Sequence, residues 1–298
     1  MCRTRGVRDQ RTRYAASDST GVTSLRQGPG SAREDSGPKV VSGLLIDVDG
    51  VLRIGGRVIP GAPEALAWLR AQGIPFRLLT NSTVSSRATL AASLRDHGFP
   101  VEAPEIFTAA YATAEYVAAR WPGVPCFLLT TGDASADFHA AGVDLVGPDG
   151  TPDAGVVVIG GAEHELTYAR LNHAYRLLLG GAKLIAMHRN VAWRTEAGMT
   201  LDSGPFIEAI ARAARARIIT IGKPSMPFFR QAMRSIALPA LSLAMIGDDA
   251  RNDIAPAQRL GMTGILVRSG KPVTAADEAA ADVTLDSVAD LAAWMQAD

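Results

Sequence analysis

The sequence predicts an α/β protein built on a doubly wound parallel sheet, with a second α/β unit inserted into it. Two observations carry that prediction. Short runs of Val, Ile, Leu and Phe without polar alternation read as strands buried on both faces. Stretches of helical period lie between them, and such alternation is the mark of a parallel sheet covered by helices. At 298 residues the chain is long enough for one or two domains with a large core.

Taken in order, residues 1–39 have few large apolar side chains and no period, and are rich in Arg, Ser and Gly; they predict a disordered tail. Strands are expected at GLLIDV (43–48), PFRLLTN (75–81), PCFLLTT (125–131) and GVVVIG (155–160). Four more follow at KLIAMH (183–188), RIITIG (217–222), LAMIGD (243–248) and TGILVR (263–268). Each is closed by Gly, Asn, Thr or Asp, or by a basic residue at the turn. Helices are expected at 63–73, 86–99, 167–181, 204–216, 226–237 and 254–262, several ending in Gly. The strands and helices of 122–216 suffice for a small sheet of their own, which leaves 40–121 and 217–298 as the main core.

Composition narrows the function. Net charge is zero, which gives no reason to expect nucleic acid or an anionic membrane as partner. The balance is uneven: the first 39 residues carry eight Lys/Arg against four Asp/Glu, leaving 22 against 26 in the rest. Two cysteines are too few for a disulfide framework and point to a reducing, cytoplasmic setting. No apolar run approaches the ~18 residues of a membrane span.

Ligands of a doubly wound sheet bind at the carboxyl ends of its strands. Four expected strand ends are distinctive: Asp47 and Asp49 in LLIDVDG, Thr80 and Asn81 in RLLTNST, Lys223 in IITIGKP, and Asp248, Asp249 and Asp253 in AMIGDDARND. Singly, each has an ordinary reading as turn or capping chemistry. Together they suit phosphoryl transfer. Asp47 and Asp49, two apart, are expected to face the same way, so their repulsion calls for a cation such as Mg²⁺ shared with Asp248. One carboxylate can act as nucleophile and the other as acid and base, with a hydroxyl and amides near Thr80 and Asn81 on the phosphoryl oxygens and Lys223 balancing charge. Rival motifs fail. A calcium loop starting at Asp47 has Val51 and Val58 where oxygen ligands belong, and there is no phosphate-loop, G-x-S-x-G or zinc spacing. His164, His173 and His188 are scattered and read as surface or loop residues.

The order DVDGVL, TNS, GKP, GDDARND resembles the haloacid dehalogenase superfamily of phosphatases from about residue 43 onward. The branch it is most similar to carries a large α/β cap and contains the NagD-type and pyridoxal phosphatases. The stretch from MHRNVAW to GKPSMPFF (187–229) resembles the subgroup of phospholysine phosphohistidine inorganic pyrophosphate phosphatase. The resemblance implies a Rossmann-like core with a cap. It also implies Asp47 as nucleophile, and Asp49 as general acid/base whose backbone carbonyl joins Asp47 and Asp248 on the metal. Thr80, Asn81 and Lys223 then bind phosphate. Ser82 stands where relatives often have Asn, and its hydroxyl is still a donor. Asp253 supports the metal site, and Asp249 is either an outer residue of that site or solvated.

The cap is expected to close over the site, to select a small phosphorylated substrate and to form a homodimer contact. His188, Arg194 and Asp202 are within reach of such a role. For each of them the plainer expectation is solvated charge, with Trp193 and Met199 packing the cap core. Phosphate monoesters, phosphoramidates and pyrophosphate all suit the chemistry. The alternative classes are a signalling domain that holds a phosphoryl group and a catalytically inactive binding module. Signalling domains of that type are shorter and place their acid pair differently, and the intact acid set argues against inactivity.

Overall fold

GLLID forms β1 (Gly43–Asp47), and all five of its residues are buried, as a central strand of a parallel sheet must be. The structure, a computed structural model, describes residues 41–147, 154–195 and 198–297; the segment 1–39, expected to be disordered, lies outside them. A small antiparallel hairpin follows, β2 (Arg53–Ile54) and β3 (Arg57–Val58). Then come β4 (Phe76–Thr80) and β5 (Ile106–Thr108). Next are β6 (Cys126–Leu129), β7 (Leu145–Val146), β8 (Val156–Ile159) and β9 (Lys183–Ala186). A second hairpin, β10 (Ala192–Thr195) and β11 (Gly198–Leu201), precedes β12 (Ile218–Thr220). The chain ends with β13 (Leu243–Gly247), β14 (Thr263–Val267) and β15 (Val283–Leu285).

These strands form two parallel sheets, six-stranded in the order β15-β14-β13-β1-β4-β5 and five-stranded in the order β12-β9-β8-β6-β7. In the first, the chain runs from β1 toward β4 and β5, then returns to β13 on the other side. In the second it runs from β6 to β7, then crosses to β8. Each sheet therefore has its own switch point, beside β1 and beside β6. Hydroxyls start the main helices: Ser86 accepts from Thr89 N at 3.2 Å ahead of Arg87–Asp96, and Thr108 from Tyr111 N at 2.9 Å ahead of Ala109–Arg120.

One apolar cluster runs from Leu45, Leu79 and Met245 of the first sheet to Val158 and Ile185 of the second, so both share a core. Each also has a cluster of its own, around Leu66 and Phe76 and around Phe127 and Ile207. Both sheets fall within one compact unit. No helix among the described residues is long and apolar enough to cross a membrane.

Two expectations are corrected. The strand at 217–222, placed with 217–298 in the core, pairs as β12 with β9 in the second sheet. Its local pattern is that of any buried strand, and only the long-range pairing tells the sheets apart. Trp193 and Met199 do not pack a core: they are 44% and 67% exposed, because the β10–β11 hairpin stands apart from the five-stranded sheet.

Candidate active site

Asp47 closes β1 beside the switch point of the first sheet, and it is 5% exposed. Its Oδ1 accepts from Val48 N at 2.7 Å and meets Lys223 Nζ at 2.7 Å. Lys223 follows β12, so the second sheet delivers the lysine to the first sheet's acids. The same Nζ lies 2.8 Å from Asp253 Oδ1.

Asp248 follows β13, and a wide helical turn, Ala250–Ile254, folds Asp253 back beneath it. The fit is close. A Cβ on Gly247 would sit 2.4 Å from Asp253 Cβ, and one on Gly50, at φ +93°, 2.1 Å from Asp248 Oδ2. Carboxylate oxygens of Asp47, Asp248 and Asp253 all lie within 4.8 Å of one another. Asp253 Oδ2 has no hydrogen-bond donor among the described residues, and Oδ1 has only the ionic contact with Lys223.

Three buried acids against one lysine leave excess negative charge. Burial pushes Asp47 well above the usual carboxylate range against the pull of Lys223, and Asp253 and Asp248 add to the rise. Burial likewise raises Asp248, with Lys271 opposing. For Lys223, burial alone would lower the ammonium, but Asp253 and Asp47 outweigh it and hold it above the ordinary lysine range. Converging hard oxygens with unspent charge fit a divalent cation such as Mg²⁺.

Asp49 differs from the sequence expectation. The period-two rule fails because β1 ends at Asp47, and the backbone turns before Asp49, whose side chain is 62% exposed. The acids that press on Asp47 are Asp253 and Asp248, distant in sequence. Asp49 Oδ1 accepts from Arg53 Nε at 3.3 Å, and its Oδ2 lies 3.5 Å from Thr80 Oγ1. Its carboxylate thus faces the open side of the site, next to the Thr80 hydroxyl.

Thr80 ends β4, and its Oγ1 accepts from Ser82 N at 3.1 Å, closing a tight turn. The Asn81 carboxamide is engaged at two points: Oδ1 accepts from Lys223 N at 2.7 Å and Nδ2 donates one hydrogen to Lys223 O at 3.1 Å. Asn81 therefore fixes the lysine. Ser82 is half-buried, its carbonyl held by Ala110 N at 3.3 Å.

Asp249 is neither solvated nor in the acid triad. Burial alone would raise it, but Lys271 Nζ at 2.6 Å, with Asn252 and Arg251 amides at 2.9 Å, brings it down to about 2. Lys271 was not singled out in the sequence, although its backbone N also donates to Asp248 Oδ2 at 3.0 Å. One signal was available: Gly270-Lys271-Pro272 repeats the Gly222-Lys223-Pro224 tripeptide. Arg53 is a second omission.

Of the three candidates in 188–202, His188 is 5% exposed, its Nε2 3.8 Å from Asp202 Oδ1, which makes it a buried residue and not a surface one. Arg194 lies in β10, and its side chain is outside the described residues. A cavity of about 440 Å³ borders Lys223, lined also by Arg189, Asn190 and Asn252. A larger groove of about 530 Å³ near Tyr116 and Arg230 holds none of the site's carboxylates.

A parallel sheet with acids and a lysine gathered at its switch point defines a class of hydrolase, and comparison with known proteins identifies it. The family described as haloacid dehalogenase-like hydrolase matches residues 44–144, and its HAD-hydrolase-like companion matches 220–291. Haloacid dehalogenase-like hydrolase domain-containing protein 2 of Rattus norvegicus is 39% identical over 240 residues, 80% of this chain and 88% of its own. Phospholysine phosphohistidine inorganic pyrophosphate phosphatase of Danio rerio is 34% identical over 85% of this chain and 92% of its own. Among solved structures, the p-nitrophenyl phosphatase from Archaeoglobus fulgidus superposes with a TM-score of 0.78 at 25% identity, covering 87% of this chain and 100% of that one. The chain belongs to the haloacid dehalogenase-like hydrolase family and is a phosphatase of it.

Proposed function

We propose that the enzyme is a Mg²⁺-dependent phosphatase of small phosphorylated metabolites that works through an aspartyl-phosphate. The observation that carries this reading is Asp47: a buried carboxylate at a switch point, paired with Lys223 at 2.7 Å and flanked by two further buried acids. An Asp47 oxygen attacks phosphorus while the bond to the leaving oxygen or nitrogen breaks, and Asp49, in its acid form, gives that atom a proton. Water then attacks phosphorus, Asp49 takes its proton, and the Asp47–phosphate bond breaks to release inorganic phosphate. Lys223, with the Thr80 hydroxyl and the Asn81 backbone amide, receives the phosphoryl oxygens. Asp47 and Asp248, with the Asp49 carbonyl and Asp253 in support, would hold the Mg²⁺, whose charge offsets that of the acids and of the phosphoryl group.

The polar side chains Arg189, Asn190 and Asn252 in the cavity beside Lys223 support a polar leaving group. The relative named for phospholysine, phosphohistidine and pyrophosphate supports extending the substrates from monoesters to P–N and P–O–P bonds. The exposed Val191, Trp193, Met199 and Leu201 around the β10–β11 hairpin support a homodimer through this region. Purified protein assayed on a panel of phosphorylated compounds, with Mg²⁺ and with chelator, tests the reading. Release of inorganic phosphate only with Mg²⁺ is expected. Full activity in chelator, or activity on no member of the panel, counts against it.

A further inference from the structure

A doubly wound sheet leaves a crevice at the carboxyl ends of the strands that flank its switch point. In the second sheet those strands are β6 and β8, and the chain's own segment 83–86 fills the space at their ends. That segment follows directly on Thr80–Ser82. Thr83 Oγ1 accepts from Gly161 N at 2.8 Å, and Thr83 O accepts from Thr130 Oγ1 at 2.8 Å. Val84 O accepts from Asp133 N at 3.0 Å and from Ala134 N at 3.2 Å. Ser86 donates its N and Oγ to the Asp133 carboxylate at 2.8 and 2.7 Å, and Thr89 Oγ1 adds a third bond at 2.6 Å.

The fit excludes side chains. Gly132 has φ +69°, and a Cβ there would lie 2.1 Å from Val84 O; one on Gly161 would lie 2.8 Å from Thr83 Oγ1. Burial by itself would raise Asp133, but the Thr89 and Ser86 donors hold it below the usual carboxylate range, so it accepts as an anion at neutral pH. On its other flank the turn is tied by Asn81 to the backbone of Lys223. The three residues from Thr80 to Ser82 are therefore held between two anchors, and both belong to the second sheet: the ends of β6 and β8 on one flank and the Lys223 loop after β12 on the other.

We infer that Thr83 and Asp133 are positioning residues: through them the second sheet's crevice seats the phosphate-facing turn Thr80–Ser82 relative to Asp47. This rests on the reading that the turn receives the phosphoryl group. Thr83 is buried and the Asp133 carboxylate is taken up by Ser86 and Thr89, so both act through the turn. A displacement near 1 Å in such a turn costs about 10²-fold in rate.

The test uses the full chain with p-nitrophenyl phosphate as substrate and orthovanadate, a mimic of five-coordinate phosphorus, as inhibitor. Thr83→Val and Asp133→Asn are expected to lower kcat/KM by up to about 10²-fold and to weaken orthovanadate inhibition in parallel. Thr83→Ser, which keeps the hydroxyl, is expected to restore both. Thr89 is exposed, so Thr89→Val supplies a folded variant that must shift orthovanadate inhibition in the same direction. Variants that melt lower yet keep kcat, KM and orthovanadate inhibition within about twofold of wild type overturn the inference. An active wild type with such variants removes this inference alone; a wild type that neither turns over nor binds orthovanadate removes the phosphatase reading and this one with it.

Discussion

The two parallel sheets follow one topology and end in opposite chemistries. At the switch point of the first, Asp47, Asp248 and Asp253 gather with Lys223, all at most 7% exposed. At the switch point of the second, the strand ends carry Thr130, Thr131, Gly160 and Gly161, and the Asp133 carboxylate just beyond them is taken up by the chain's own Ser86 and Thr89. Burying ionised groups is costly unless they are paired, so an acid cluster calls for a lysine and for a cation to offset it. Neutral hydroxyls and glycines allow backbone to approach backbone, which suits a docking surface. The same crevice geometry thus serves a charged ligand in one place and the chain's own loop in the other. Fold alone does not decide which; the residues at the strand ends do.

Removing charge from the first crevice should break chemistry before it breaks the fold. The largest effect is expected from Asp47→Asn. The amide keeps the volume and a hydrogen bond to Lys223 but cannot form the acyl phosphate, so turnover should fall by about 10⁴-fold or more. Mass spectrometry of the enzyme quenched in acid during turnover should show a phosphate adduct for wild type and none for the variant. Asp49→Asn comes next. It should lose about 10²–10⁴-fold, with the greatest loss on substrates whose leaving group is most basic. Equal slowing across leaving groups of widely different pKa counts against proton donation by Asp49.

Much of the charged crevice was legible before any coordinates. Asp47, Thr80, Lys223 and Asp248 each terminate a run of apolar residues, and a strand end is a local property. What was illegible is non-local. Nothing in RIITIG tells which sheet it joins, and β12 went to the second because its partners in β9 lie 34 residues back. The helix Ala109–Arg120 escaped notice because four of its six buried residues are alanine, which mark no strong apolar stripe. β5, β7 and β15 have three, two and three residues, too short for a period to declare itself. The second crevice was invisible for another reason: Thr83, Asp133 and Gly161 are ordinary loop residues until the fold brings 83–86 against β6 and β8.

Metal removal tests the charged crevice as a source of stability. Chelator should abolish turnover and Mg²⁺ restore it, while Ca²⁺, with its longer bonds and higher coordination number, should restore it poorly. A cation that binds only the folded acids at 100 times its dissociation constant adds about 2.7 kcal/mol. Thermal melts with and without Mg²⁺ should show that rise in wild type. Asp248→Asn should melt at one temperature in both conditions, and a Mg²⁺-dependent rise that survives in the variant would place the cation elsewhere.

The smallest effect concerns the second sheet's own buried ionisable group. His188, two residues past β9, accepts from Asn190 N at its Nδ1 (3.3 Å) and faces Asp202 through Nε2 at 3.8 Å. Burial lowers its pKa from the ordinary 6.5, and the Asp202 charge offsets this only in part. The folded state therefore binds fewer protons at this site than the unfolded chain. Its contribution is fully present above pH 6.5, and it is lost as pH falls from 6.5 toward the folded value. Burial of Asp47 and Asp248 gives the opposite slope, since a raised carboxylate contributes stability that is lost as pH rises through its folded value. The two are separated by difference. His188→Gln should melt like wild type at pH 8, and should lose less than wild type between pH 6.5 and 5, by an amount read at about 2–4 °C per kcal/mol for a domain of this size. Parallel melting curves for the two proteins across that range would show that His188 titrates alike in the folded and unfolded states.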